Sequence, residues 1–142
     1  MPKPSKRPLR IESLETRITP AVTASLSAGT LTLAGSQGTD AIILTEAGGN
    51  LTVTGAKINH GGVIKNFVPV GLVKKVYVAA GAGDDIVNLS GVSVKATIIG
   101  GLGDDSITGG AAADEIFGRD GNDSIFGGGG NDKLFGEAGD DT

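Results

Sequence analysis

The chain has 142 residues, and its 25 glycines and 4% aromatic content exclude an ordinary core of large side chains, since glycine stands at more than twice its usual ~7%. With no Cys and a single His, disulfide staples, cysteine nucleophiles, Cys-containing zinc sites and HExxH metalloprotease chemistry are removed as well. The net charge of −4 hides a gradient of +3 over residues 1–20, +2 over 21–80 and −9 over 81–142, where three Lys/Arg face twelve Asp/Glu. Such an acidic, glycine-rich segment is a poor surface for nucleic acid or anionic lipid and a good one for a hard cation. Composition leaves two states open, a glycine-punctuated β protein or a disordered chain.

Residues 1–20 are basic, hold four prolines and lack the apolar run of a secretory signal peptide. No stretch of about 20 apolar residues occurs anywhere in the chain, so no membrane span is expected. The stretch from Leu9 to Ala21, with its L-E-x-R-x-x-P-A core Leu14-Glu15-Thr16-Arg17-Ile18-Thr19-Pro20-Ala21, resembles the short N-terminal segment of many large exported bacterial proteins. A disordered basic tail is the other reading of the same residues.

From residue 21 to 79 short runs rich in β-branched residues alternate with turn formers. Leu31-Thr32-Leu33, Ala41 to Thr45, Leu51 to Thr54, Val63-Ile64 and Val76-Tyr77-Val78 are separated by Gly35, Gly38, Gly48-Gly49-Asn50, Gly61-Gly62 and Gly71. No 3.6-residue apolar period is sustained, so the region is expected to be all-β, a stacked or sandwich-like flank to the acidic segment.

The decisive pattern begins at Gly100, where the chain divides every nine residues: GGLGDDSIT, GGAAADEIF, GRDGNDSIF, GGGGNDKLF and the incomplete GEAGDDT. Against G-G-x-G-x-D-x-U-x, with U a large apolar residue, the four complete copies match 18 of 20 defined positions. The glycines at turn positions are Gly100, Gly101, Gly103, Gly109, Gly110, Gly118, Gly121, Gly127, Gly128, Gly130, Gly136 and Gly139, and position six is always Asp: Asp105, Asp114, Asp123, Asp132 and Asp141. A looser copy, Ala80 to Asn88, carries Asp85.

These repeats resemble the RTX, or hemolysin-type, calcium-binding nonapeptide repeats, and the resemblance implies a right-handed parallel β-roll over residues 80–142 with Ca²⁺ as cofactor. The spacing fits that fold physically. Six turn-forming residues followed by a three-residue strand make half a coil, so two nonapeptides close one 18-residue coil and residues 18 apart become neighbours about 4.8 Å apart. Asp105, Asp123 and Asp141 then line one edge, and Asp114 and Asp132 the other. Bare carboxylates that close repel one another, whereas Ca²⁺ accepts six to eight oxygens, backbone carbonyls included. By resemblance, ions lie between Asp105 and Asp123, Asp114 and Asp132, and Asp123 and Asp141, with Asp85 a further ligand toward Asp105. The position-five residues Asp84, Asp104, Asn122, Asn131 and Asp140 are read as turn formers.

The same rule places Ile107 over Ile125 and Ile116 over Leu134 as a thin inward core, with Glu115 beside Lys133 and Phe117 beside Phe135 outside. Gly35 to Ile43 fits four of five motif positions but stands alone, and reads as a structural turn. The last copy lacks its inward apolar residue, so the Asp141 site is expected to be the weakest, and the pattern is that of a piece of a longer array. No catalytic constellation is present: Asp84-Asp85 and Asp104-Asp105 come without an aromatic sugar platform, and His60 beside Gly61-Gly62 is a loop residue. The expected function is calcium binding by a secreted, extracellular repeat module that folds on binding the ion. A structural or adhesive surface module meeting a protein or surface-polymer partner, and the non-catalytic appendage of an exported hydrolase, are the alternatives.

Overall fold

The computed structural model describes residues 22–56 and 58–142, so residues 1–20 and their resemblance to exported proteins lie outside the described residues. The described residues are all-β, apart from a single 3-10 turn at Val70–Leu72. β1 (Thr23–Ser27) and β2 (Thr30–Ala34) form an antiparallel hairpin, as do β3 (Ala41–Ala47) with β4 (Asn50–Val53) and β5 (Ile58–His60) with β6 (Val63–Lys65). The β3–β4 turn is Gly48-Gly49, with φ of 56° and 76°, the backbone that a two-residue hairpin requires and that glycine adopts without a Cβ penalty. The short β7 (Val68–Pro69) pairs with β4.

Before residue 74 the pairing is antiparallel except for β1 with β5; beyond it every pair is parallel, because each strand is followed by a turn that carries the chain to the opposite sheet. β8 (Lys75–Ala82), β10 (Ala96–Leu102), β12 (Glu115–Asp120) and β14 (Lys133–Ala138) stack in one sheet, and β9 (Ile86–Asn88), β11 (Ser106–Thr108) and β13 (Ser124–Phe126) in the other. The stacks continue upstream: β2 pairs parallel with β8, and β3 with β9. Strand β8 thus crosses residue 80, the start expected for the repeat segment, and joins both parts of the chain in one sheet.

The expected register is present. Ile107 is opposite Ile125, Ile116 opposite Leu134, Glu115 opposite Lys133 and Phe117 opposite Phe135. Two expectations need correction. Among the repeat strands those of three residues, β9, β11 and β13, are in the second sheet; β10, β12 and β14 run for six or seven, because positions at the start of the next motif stay paired at positive φ, as Gly101 does with Gly81 and Arg119. Leu134, on the edge strand β14, is 47% exposed and not inward and buried.

Inward rows of Leu33, Val78, Ile98 and Ile116 from the first sheet face Ile42, Val87 and Ile107 from the second, all of them buried. Alternation of in and out along each strand produces these rows. Leu31, Leu44, Leu51, Ile58, Val68 and Val76 widen the core at the upstream end.

Candidate metal centre

The two edges where the chain passes between sheets carry the aspartates. Each position-six Asp except Asp141 directly precedes a strand, so its N–H and its carboxylate lie at the mouth of a turn that is stacked on the next. Along the first edge the N–H of Asp85 donates to Asp105 Oδ1 at 2.8 Å, that of Asp105 to Asp123 Oδ1 at 2.8 Å, and that of Asp123 to Asp141 Oδ1 at 2.9 Å. On the second edge the N–H of Asp114 donates to Asp132 Oδ1 at 2.8 Å. Asp85, Asp105, Asp114 and Asp123 are buried, Asp132 is partly covered and Asp141 is exposed.

Position-five residues form a parallel, exposed ladder. The N–H of Asp104 donates to Asp84 Oδ1, that of Asn122 to Asp104 Oδ1 and that of Asp140 to Asn122 Oδ1, at 2.8 to 3.0 Å. Their side chains are occupied in joining one turn to the next.

Glycine is what lets the turns close on each other. A Cβ at Gly100, Gly118 or Gly136 would collide with Oδ2 of the Asp five residues on, and one at Gly127 would lie 2.5 Å from Asp132 Oδ2. A Cβ at Gly101, Gly121 or Gly139 would strike the carbonyl oxygen of Gly81, Gly103 or Gly121 in the stacked turn. The space beside each carboxylate is therefore bounded by backbone, carbonyl oxygens among it. Two departures from the motif fall at position two, where Arg119 and Glu137 hold φ of 91° and 77°, a region unfavourable for L side chains. They are opposite each other and form an ion pair at 3.5 Å.

The electrostatics of the first edge favour a positive charge beside the carboxylates. Asp85, Asp105 and Asp123 each keep a buried Oδ2 with no hydrogen-bond partner. The ion pairs among the described residues, Arg119–Glu137 and Lys133–Glu115, do not involve them. Burial raises the pKa of Asp105 to about 6, reinforced by the charges of Asp85, Asp123 and Asp84. Burial likewise raises Asp85, with Asp40 and Asp84 adding to it, and Asp123, with Asp141 and Asp104 adding to it. An unpaired buried carboxylate is costly and is neutralised either by a proton or by a cation. No three acidic or His side chains converge on a common point among the described residues, so a cation between two turns would draw on two carboxylates and on carbonyls. That all-oxygen donor set suits Ca²⁺, which accepts carbonyl ligands and irregular geometry, better than Mg²⁺, which demands a near-ideal octahedron.

The structure brings Asp85, Asp105, Asp123 and Asp141 into one ladder and Asp114 with Asp132 into another. Sequence reasoning missed two features. Asp40 continues the first ladder upstream: its N–H donates to Asp85 Oδ1 at 2.7 Å. The motif match at Gly35 to Ile43 was its signal. On the second edge Ala96 occupies the position above Asp114, its N–H donating to Asp114 Oδ1 at 2.7 Å, and the 18-residue spacing from Ala96 to Asp114 was there to be read.

Stacked glycine turns, each presenting an aspartate to the next, make up a nonapeptide repeat array. Residues 96–125 and 108–142 match the family model of the RTX calcium-binding nonapeptide repeat, in four copies. This part of the chain is an RTX repeat region, and the matched family is a calcium-binding repeat and not a catalytic domain. No curated protein and no solved structure matches the chain significantly. Among the described residues no helix is long and apolar enough to cross a membrane.

Proposed function

We propose that residues 80–142 are a right-handed parallel β-roll that binds Ca²⁺ between stacked turns and orders on binding it outside the cell. Asp105 with Asp123, Asp114 with Asp132, and Asp123 with Asp141 hold the ions, and Asp85 serves as a further ligand toward Asp105. The observation that carries this reading is the row of buried carboxylate oxygens without partners, on Asp85, Asp105 and Asp123, each beside a glycine turn packed on the next. The bound ion supplies the positive charge that these oxygens lack. The chain's own part is to present the carboxylates, aim turn carbonyls at them and exclude water from one side through the aliphatic rows.

Without the ion, the segment's charge of −9 and the conformational entropy of its glycines oppose ordering. Extracellular calcium modules typically bind at ~10⁻⁴ to 10⁻³ M, so submicromolar cytosolic calcium leaves the repeats expanded and millimolar external calcium orders them. In this reading residues 21–79 are the flanking region on which the roll stacks, through β8, and residues 1–20 a separate basic segment.

Calcium titration followed by circular dichroism tests the coupling. The β signal rises over the micromolar to millimolar range with calcium and not with magnesium. A spectrum unchanged by calcium contradicts the proposal. A structural or adhesive role is the second reading, favoured by the outward Phe117 and Phe135, whose rings stack at 4.9 Å with the Arg119 guanidinium 5.9 Å from the Phe117 centroid.

A further inference from the structure

We propose that the turn ending at Asp40 and the turn ending at Asp85 together hold one more Ca²⁺, with Asp40 and Asp85 as its carboxylate ligands. This site lies upstream of the residues matched by the repeat family, and its two carboxylates are separated by 45 residues of chain. It rests on the reading that the downstream repeats bind Ca²⁺ through their position-six aspartates.

Asp40 occupies the same structural position as those aspartates. In the downstream repeats, the N–H of residue seven donates to the carbonyl of the Asp one coil upstream: Ser106 to Asp85 at 2.9 Å, Ser124 to Asp105 at 2.8 Å and Thr142 to Asp123 at 2.9 Å. Ile86 donates to the Asp40 carbonyl in the same way, at 2.9 Å. The turns also pack alike. A Cβ at Gly35 would lie 2.8 Å from Asp40 Oδ2, matching the relation of Gly100 to Asp105, and one at Gly81 would strike the Ser36 carbonyl oxygen. Gly81 and Gly83 hold φ of 120° and 113°, the left-handed backbone that keeps those turns in contact.

The independent sign of a ligand is the pair of unpartnered oxygens. Asp40 is 3% exposed and Asp85 1% exposed, yet Asp40 Oδ1 and Asp85 Oδ2 are buried without a hydrogen-bond partner. Their other oxygens are used: Asp40 Oδ2 accepts from the Ser36 N–H at 2.5 Å and Asp85 Oδ1 from the Asp40 N–H at 2.7 Å. The step above Asp114, where Ala96 and not a carboxylate precedes it, looks different. Asp114 has both oxygens satisfied from its upstream side, Oδ1 by the N–H of Ala96 and Oδ2 by that of Gly110, each at 2.7 Å. On that edge Ala96 ends the row of carboxylates, whereas on the first edge Asp40 extends it. Two buried acids in adjacent turns, with the carbonyl oxygens of Ala80 and Ser36 at the glycines of those turns and no nitrogen or sulfur side chain among these contacts, select a hard divalent cation.

The test is calcium stoichiometry by equilibrium dialysis on the full chain, comparing the unaltered protein with Asp40→Asn and Asp123→Asn. Asp40→Asn is expected to bind one ion fewer per chain while keeping the calcium-induced β signal of the repeats. If Asp123→Asn loses calcium and Asp40→Asn binds as much as the unaltered chain, this site is wrong and the repeat reading stands. If the unaltered chain binds none, both fall. Should Asp40→Asn disturb the upstream strands, amide exchange in the unaltered protein decides. Calcium should slow exchange of the amides of residues 36–40 at least tenfold, and unchanged rates overturn the proposal.

Discussion

Along the first sheet the inward row runs Leu33, Val78, Ile98, Ile116, Leu134, and its first four members are buried while the last is 47% exposed. Along the first edge the carboxylates run in the same direction, from Asp40 to Asp141. Upstream, each coil is held from inside by several aliphatic side chains and is closed by hairpins that add Leu51, Ile58 and Val68. Downstream, each half-coil contributes one aliphatic residue, and the rest of its interior is glycine backbone and aspartate. Hydrophobic burial acts in water at any calcium concentration, at about 25 cal/mol per Å² of apolar surface. A carboxylate stack does not, because burial raises the cost of its charge and each neighbour adds repulsion. On the proposed function, one strand architecture contains a part that is stable by packing and a part whose stability is conditional on a cation.

The sharpest way to break that contrast is to remove carboxylates that serve different numbers of steps. Asp123 lies between Asp105 and Asp141, whereas Asp132 faces only Asp114. Asp123→Ala is expected to lose two ions and Asp132→Ala one. In calcium a hundredfold above Kd each ion contributes about 2.7 kcal/mol, so denaturation in calcium should show roughly twice the loss for Asp123→Ala. Equal losses contradict the stacking of sites.

Leu33→Ala probes the other part. Its side chain is fully buried between coils, and a cavity there is expected to cost about 2–5 kcal/mol. That cost should be the same with calcium or with chelator, which thermal melts in both conditions can check. A loss that vanishes in chelator means the upstream stack does not stand without the ion.

The smallest effect is that of pH on the calcium-free chain. Burial raises Asp105 to about 6 in the folded state, above the ordinary carboxylate value, so the folded form takes up a proton more readily than the unfolded one. That contribution to stability is fully present below the unfolded pKa and is lost as pH rises through about 6. Chelated protein should therefore gain β signal between pH 7.5 and pH 5. With calcium present, acidification below 6 should instead release ion, since proton and cation compete for the same oxygens.

Much of this division was legible in the residues. A constant nine-residue period fixes which side chains meet, and Ile107 with Ile125, Glu115 with Lys133 and Phe117 with Phe135 all pair as the period requires. The upstream coil was not legible because residues 48–74, carrying the four strands β4 to β7 and the 3-10 turn, interrupt it. That insertion stretches the spacing from Asp40 to Asp85 to 45 residues, so periodicity is lost although the stacking is kept. The length of β10, β12 and β14 was hidden for another reason. Glycine reads as a turn former, yet at positive φ it also pairs with the matching residue of the stacked coil, as Gly101 does with Gly81.

Amide hydrogen exchange, resolved along the chain in millimolar calcium and again in excess EGTA, tests the central claim most directly. The account requires that residues 100–142 lose their protection in EGTA, while β2, β3 and β8 keep theirs. Protection over residues 100–142 that is the same in calcium and in EGTA would contradict it.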